Sequence, residues 1–255
     1  MSQDSTGHFY DSLAANYHLI YPDWADSVLQ QGVVLDSLVT EALGPGTFDI
    51  LDCTCGIGTQ ALGLAGRGHR VVGIDISEES VTRAKREAAD RALSLAVGVG
   101  DMKALPVQPS SFDIVVSGDN AIAHMLTGDD LLTALTEMRR VLRIEGLVLI
   151  TLQTYEDSPA PRREYTEPQL IETPTGPVVS FQRWRWHQDG ERYDFENVQV
   201  LPDGEDWRLV VRSTTLWALN REQLSDVAYR AGFTEAAWHE PEDTGFFQPI
   251  FTARP

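Results

Sequence analysis

The stretch Ile50-Leu51-Asp52-Cys53-Thr54-Cys55-Gly56-Ile57-Gly58-Thr59-Gln60 concentrates the chemistry legible in this chain. A short apolar run ends on an acid, passes through a turn with two glycines, and enters a helical pattern. Glycine there permits tight turning and lets the backbone approach a ligand without a Cβ clash. Asp52 lies four residues before Gly56. A carboxylate at that strand end suits the ammonium of an amino acid. It would repel a pyrophosphate, which other nucleotide folds pack on the helix N-terminus. Asp52, Cys53, Gly56 and Gly58 are therefore candidate cofactor-binding residues.

Three further features follow in order. Asp75 ends a second apolar run, 17 residues after Gly58, with Ile76 beside it. An acid at that place can accept hydrogen bonds from both ribose hydroxyls, a feature shared with nicotinamide-dependent enzymes. Gly100-Asp101-Met102 closes the third run; the acid can accept from an adenine amino group and the thioether can pack on the ring. Phe112 to Asn120, with Gly118, leads toward a reaction centre, and Asp113 within it is given no function. Singly, each acid has a plainer reading: Asp52 as a turn acceptor, Asp75 as a helix cap, Asp101 as a turn residue. Together they point to S-adenosylmethionine, with S-adenosylhomocysteine as product, on a class I methyltransferase fold.

Catalytic candidates are Tyr17, Asn120, His124 and Tyr155. Transfer from a sulfonium needs alignment and proximity more than acid–base force, and well-oriented reactants gain roughly 7–11 kcal/mol. Asn120 could orient an acceptor amine through its carbonyl, or serve as a turn residue. His124 reads as a base or as a satisfied structural histidine. Tyr10, Tyr17, Tyr21 and Trp24 could form an aromatic lid that excludes water, with Tyr10 and Trp24 against the cofactor, or simply pack a helix. Trp184 and Trp186 share one strand face and either line a pocket or pack the surrounding sheet.

These residues need a scaffold, and the patterning supplies one. Phe9 to Leu43 carries helical spacing and stops at Gly44-Pro45-Gly46. The residues before it read as a disordered tail. Strand-like runs over 48–51, 70–75, 95–99, 112–117 and 146–152 alternate with helical patterns over 59–65, 78–93 and 129–142. Ser77 is the expected N-cap of the second of these. Prolines 159, 161, 168, 174 and 177 then interrupt the chain, and period-2 runs over 178–187, 193–201 and 207–219 read as antiparallel hairpins. Helix returns at 221–231, with strands over 233–240 and 246–253. The expectation is an α/β, Rossmann-like, doubly wound seven-stranded sheet, with an antiparallel β insertion after the fifth strand and an N-terminal helical lid. Residues 1–46 form the lid segment, 47–156 the cofactor-binding core, 157–218 the insertion covering the sheet edge, and 219–255 the end of the core.

Composition bounds the partners. The 255 residues carry 38 acids against 20 bases, a net charge of −18. Nucleic acid would meet net repulsion and little counterion release. Arg162-Arg163 and Arg183/Arg185 are too short for a basic patch. No apolar run spans a bilayer and no signal peptide is read. The two cysteines, Cys53 and Cys55, are too close for an ordinary disulfide and lack further metal ligands nearby. A reduced, cytoplasmic protein acting on a small molecule is expected, with no metal, no membrane and a possible homo-oligomeric state.

The stretch Asp52 to Leu62 resembles the DxACGxGT segment of glycine and sarcosine N-methyltransferases and their bacterial relatives. Asn120-Ala121-Ile122-Ala123-His124 resembles their Asn-x-x-x-His loop, Phe9 to Trp24 their lid, and Gly245 to Ile250 their ending. The resemblance implies N-methylation of a small amine. One departure bears on the substrate. Where the glycine enzymes place a carboxylate-binding Arg after the fifth strand, this chain reads Gln153-Thr154-Tyr155-Glu156. Gln offers no charged bidentate fork. Glycine then fits poorly, and a neutral or cationic amine, or a larger metabolite, fits better unless Arg183 or Arg185 compensates. The competing readings are a non-methylating user of the same cofactor, such as a cyclising enzyme, an NAD-dependent oxidoreductase, and a non-catalytic interaction protein.

Overall fold

The computed structural model describes residues 3–155, 164–174 and 176–255. The chain opens with α1 (Gln3–Leu13), a 3-10 segment (Ala14–Ile20) and α2 (Trp24–Leu43). The core follows as β1 (Asp49–Asp52), α3 (Thr59–Gly66), β2 (Arg70–Asp75), α4 (Glu78–Asp90), β3 (Leu95–Val99) and β4 (Phe112–Ser117). A 3-10 turn (Ala121–His124) leads to α5 (Gly128–Val141) and β5 (Leu142–Thr151). Then come β6 (Gln169–Thr173), β7 (Gly176–Trp186), β8 (Arg192–Asp203) and β9 (Asp206–Trp217). The chain ends with α6 (Arg221–Arg230), β10 (Thr234–His239), α7 (Pro241–Thr244) and β11 (Ile250–Arg254).

Seven strands form one sheet in the order β10-β11-β5-β4-β1-β2-β3. Pairing is parallel from β5 through β3, while β11 runs antiparallel to both neighbours. The central strands are apolar on both faces, as strands covered by helices on two sides must be: Ile50, Leu51, Ile114, Val115 and Val116 are fully buried. At the N-terminal edge, Arg143 pairs with Asp49 at 2.9 Å and Asp113 at 2.6 Å, and Asp113 accepts the Asp49 amide at 2.8 Å. Asp113 thus fastens β1 to β4 on the side away from the glycine turn. A second, antiparallel sheet, β6-β7-β8-β9, follows β5. It packs Trp184, Tyr193 and Leu216 against Ala123, and Val178 and Leu201 against Leu19.

The doubly wound sheet and the antiparallel hairpins match the sequence expectation; three details depart from it. From Gln3 onward the residues expected to be a disordered tail belong to helix α1. Its local sequence is a weak helix former, but Phe9 and Leu13 are buried, and Asp11 accepts the Ser77 hydroxyl at 2.6 Å. Tertiary packing supplies what propensity lacks. Strand β5 starts at Leu142, directly out of α5, where helical spacing suggested helix. Strand β6, in the proline-broken stretch, gave no alternating pattern because it is an edge strand with exposed residues on both faces. Glu156, Pro159, Pro161, Arg162, Arg163 and the start of the insertion over 157–218 lie outside the described residues. No helix among the described residues is long and apolar enough to cross a membrane.

Candidate active site

The winding of the sheet reverses between β1 and β4, and a crevice opens where their C-terminal ends part. Two cavities meet there. The first, of about 160 Å³, has the β1–α3 turn, Asp75-Ile76, Gly100 to Lys103 and Gly118-Asp119 around it, with Tyr10 of α1 and Thr214 and Thr215 of β9 above. The second, of about 490 Å³, lies between α1, α2 and the antiparallel sheet. Tyr10, Tyr17 and Asp119 line both.

The turn takes its shape from two left-handed glycines, Gly56 at φ 52° and Gly58 at φ 100°. Asp75 holds it in place. One carboxylate oxygen accepts the Gly56 amide at 2.7 Å and the other the Ser77 amide at 2.9 Å. Ser77 in turn caps α4 by accepting from Ser80 at 3.0 Å. Asp75 therefore braces the turn and the neighbouring loop at once, and still lines the cavity. Burial pushes its carboxyl up to about 6.

Asp52 sits beneath this floor, fully buried. Its Oδ1 accepts the Thr54 amide at 3.3 Å, and its Oδ2 has no partner among the described residues. Burial, reinforced by the charges of Asp75 and Asp119, pushes the carboxyl up to about 8. Such a group keeps its proton near neutral pH until a cation arrives to stabilise the ionised form. Asp101 accepts the Lys103 amide at 2.9 Å, and Asp101, Met102, Ile76, Cys53 and Gly118 all line the first cavity. A Cβ on Gly118 would meet the Gln60 side chain at 2.7 Å, and Gln60 is itself held by Gln31 at 2.7 Å. Both thiols are buried, and burial raises them well above the usual range, so they pack as small apolar groups.

Trp24 departs from its expected place. It lines neither cavity. Its indole donates to Thr59 at 2.9 Å, and the guanidinium groups of Arg83 and Arg91 lie 5.5 and 4.9 Å from its ring. It buttresses the start of α3 from behind. Gly58 likewise shapes the turn without lining it.

The four catalytic candidates divide between the cavities. Tyr17 lines both, His124 the first, Asn120 and Tyr155 the second. The Tyr10 hydroxyl and His124 Nε2 are 2.9 Å apart, and burial lowers His124 to about 4, so its ring is neutral at pH 7. Asn120, at φ 63°, accepts the Gln153 amide at 3.0 Å and donates to the Tyr193 hydroxyl at 3.2 Å. The carbonyl expected to orient an acceptor is thus already engaged. Tyr155 donates to the same Tyr193 hydroxyl at 2.9 Å. Trp184 lines the second cavity; Trp186 packs on Tyr155 and Tyr193.

Sequence reasoning missed Asp119 and Tyr193. Asp119 stood next to Asn120 in the quoted strand end, and its acid was the available signal. Tyr193 carries only a strand pattern, and nothing local marks it. Gln153 lines the second cavity, and no Lys or Arg among the described residues does. Arg183 and Arg185 do not compensate: they pair with Glu196 at 3.5 and 2.6 Å and line neither cavity.

Known proteins share this architecture. The sugar N-methyltransferase KedS8 of Streptoalloteichus superposes with a TM-score of 0.78 at 20% identity, over 93% of this chain and 92% of that one. CalS10 of Micromonospora echinaspora, an amino pentose methyltransferase solved with S-adenosylmethionine, gives 0.74 at 20% identity, over 89% and 91%. In sequence, ltbC of Aspergillus luteorubrus, named a probable methyltransferase, is 40% identical over 124 residues, 44% of this chain and 42% of its own length. The chain spans about half or less of the length of the curated relatives it matches. Its fold is that of the Rossmann-like methyltransferases, and residues 50–146, which carry the glycine turn, Asp75, Asp101 and Asn120, match the family model of the methyltransferase domain.

Proposed function

We propose that this chain is an S-adenosylmethionine-dependent methyltransferase acting on a small-molecule amine. The observation that carries the reading is the junction of the two cavities at Tyr10, Tyr17 and Asp119. One cavity suits a nucleoside bearing an amino acid, the other an acceptor, and they share a single contact zone where a methyl group would pass.

The residues of the first cavity fit the cofactor. The unpartnered Asp52 oxygen and the glycine turn suit its amino-acid end, Asp75 and Ile76 its ribose, Asp101 and Met102 its adenine. The cofactor is S-adenosylmethionine, and when bound it supplies an electrophilic methyl on a positively charged sulfur. The chain's contribution is to align and to exclude water. Tyr10 and Tyr17 close the junction, and α1 covers it.

An amine fits better than a hydroxyl as acceptor. A hydroxyl needs a base to remove its proton. His124, held down to about 4, is a weak base at neutral pH, and burial keeps the Tyr17 and Tyr21 phenols well above their usual value. A neutral amine arrives with its lone pair available. The second cavity, with no cation on its wall among the described residues, offers nothing to a carboxylate or phosphate. It is roomy and lined with aromatic rings, which fits a metabolite larger than glycine. The further expectations of a reduced, cytoplasmic setting and a possible homo-oligomer belong to the same reading.

Calorimetric titration with S-adenosylmethionine and S-adenosylhomocysteine, beside NAD and NADP, tests this. Micromolar binding of the sulfur ligands, lost in Asp75→Ala and Asp101→Ala, is expected, followed by methyl transfer to amines in an acceptor screen. Preference for a nicotinamide cofactor would overturn the reading. Tight binding with no transfer to any amine, oxygen or carbon acceptor would point to a non-methylating user of the cofactor.

A further inference from the structure

The junction of the cavities holds a buried carboxyl group with no cation to meet it, and burial pushes it above the ordinary carboxylate range. Asp119 lines both cavities, and its Oδ1 is removed from solvent and has no partner among the described residues. Its Oδ2 accepts the Tyr21 hydroxyl, and the Gln60 side chain lies nearby with its amide given to Gln31. No described Lys, Arg or His forms an ion pair with it, unlike Asp113, Asp130 and Asp194. A carboxylate withdrawn from water without a countercharge is costly, by an amount that depends strongly on its surroundings. Asp119 and Asn120 also adopt consecutive left-handed backbone conformations, φ 51° and 63°, which hold the carboxylate at the cavity junction. Such conformations outside glycine persist where surrounding structure enforces them.

Aromatic rings cluster around the same point. Tyr10 and Tyr17 have ring centroids 6.2 Å apart, and Tyr17 and Tyr21 6.3 Å, each pair tilted rather than stacked. Tyr10 and Tyr17 line both cavities and Tyr21 the second. Tilted phenol rings around one carboxylate are the surroundings that recognise an alkylammonium: quadrupoles for its methyl and methylene groups, a full charge for its N–H or its net positive charge.

We propose that Asp119, with Tyr10, Tyr17 and Tyr21, forms a seat for an alkylammonium group and selects acceptors whose reacting nitrogen is basic. The assignment rests on the methyltransferase reading for its role but not for its test. The acceptor that reacts is the neutral amine, its ammonium proton given up to water beforehand; the N–C bond then forms as the C–S bond breaks, and the positive charge passes from sulfur to nitrogen. Asp119 then faces the charge where it appears, and the methylated ammonium product remains matched to the seat.

The test is thermal denaturation with tetramethylammonium chloride, alongside tert-butanol as a neutral molecule of similar shape and sodium chloride for ionic strength. It is run with and without saturating S-adenosylhomocysteine. The cation is expected to raise the midpoint in a saturable way that tert-butanol does not reproduce. Asp119→Asn should weaken the cation by about tenfold or more, the scale of a lost hydrogen-bonded charge partner, while S-adenosylhomocysteine affinity stays within a few-fold. Tyr17→Leu should weaken it independently. Equal shifts from tert-butanol, no saturable shift from the cation, or undiminished cation binding in Asp119→Asn would overturn the seat. So would a variant that loses S-adenosylhomocysteine instead, since Asp119 would then serve the cofactor. Failure of the wild-type protein to bind S-adenosylhomocysteine at all would strike the methyltransferase reading, while the cation titration would still decide on the seat.

Discussion

The Tyr10 hydroxyl and His124 Nε2 lie 2.9 Å apart across 114 residues of sequence. The bond ties helix α1 to the turn after β4, directly over the first cavity. The opposite ring nitrogen, Nδ1, has no partner among the described residues. Tyr10→Phe removes the latch while keeping the ring. It should weaken S-adenosylhomocysteine binding several-fold and raise amide exchange in α1, with a stability loss of about 1 kcal/mol. Calorimetry and hydrogen exchange read the two effects; unchanged exchange in α1 would rule out a latch.

The same histidine predicts a pH dependence. Burial holds it at about 4, below its usual 6.5. The unfolded chain therefore takes up this proton first. The stability it leaves intact is complete above about pH 6.5 and is lost as pH falls toward 4. Urea midpoints of wild type and His124→Gln should converge in slope above that window and diverge within it. Parallel slopes throughout would show that His124 titrates normally.

Asp52 predicts the opposite sign. Its carboxyl stands at about 8 against an ordinary 3.8, so the folded protein holds a proton that the unfolded chain has lost. Stability from this group is present at low pH and declines as pH rises from about 4 toward 8. A cationic ligand beside it should drive that proton off. Binding of S-adenosylmethionine at pH 7 should release a proton, up to about one per site. Titrations in buffers of different ionisation enthalpy measure it, and Asp52→Asn should abolish the release. Wild-type binding enthalpy independent of buffer would refute the linkage.

Much of this was legible because it is local. A strand ending in Asp52, two glycines and a helix start are contiguous, and so are Asp75-Ile76 and Asp101-Met102. Period-2 runs gave the hairpins of the second sheet for the same reason. What escaped depends on contacts between distant segments. Trp24 looked like part of a cofactor lid because it is aromatic and near Tyr17, yet Thr59 and two arginines of the α4 region claim it. Tyr193 matters only because β8 brings it to Asn120, 73 residues away. Helix α1 has weak local propensity and is fixed by burial of Phe9 and Leu13.

Two glycines set the position of the β1–α3 turn from behind. A Cβ on Gly32 of α2 would come within 2.7 Å of the Gly63 backbone in α3. The neighbouring atoms are main chain, so they cannot rotate away. Gly32→Val should push α3, and with it the turn at Gly58, away from α2. A loss of about 1–3 kcal/mol is expected from overpacking, together with weaker S-adenosylhomocysteine binding despite the distance from the cavity. Gly66→Ala, which meets nothing within 4 Å, is the control and should leave ligand binding unchanged, with stability held or slightly raised. Equal behaviour of the two variants in denaturation and calorimetry would remove the close helix contact as the cause.

Tyr193 gathers two hydrogen bonds on one buried hydroxyl, from Asn120 at 3.2 Å and from Tyr155 at 2.9 Å. Asn120 and Tyr155 both line the second cavity, and Asn120 also carries the Gln153 amide. Tyr193→Phe keeps the ring and its packing on Trp186 but leaves the Asn120 amide without its acceptor. The wall of the second cavity loosens while the first, which Tyr193 does not line, is untouched. Acceptor KM should therefore rise by about three- to tenfold, the scale of one unsatisfied buried donor. Cofactor Kd should stay within twofold or so, and kcat should fall less than kcat/KM. Tyr155→Phe removes one donor without orphaning another buried group, so its effect should be smaller. Steady-state kinetics on the three proteins decide it: a fall in kcat alone, with KM unchanged, would place Tyr193 in the transfer step instead of the acceptor wall.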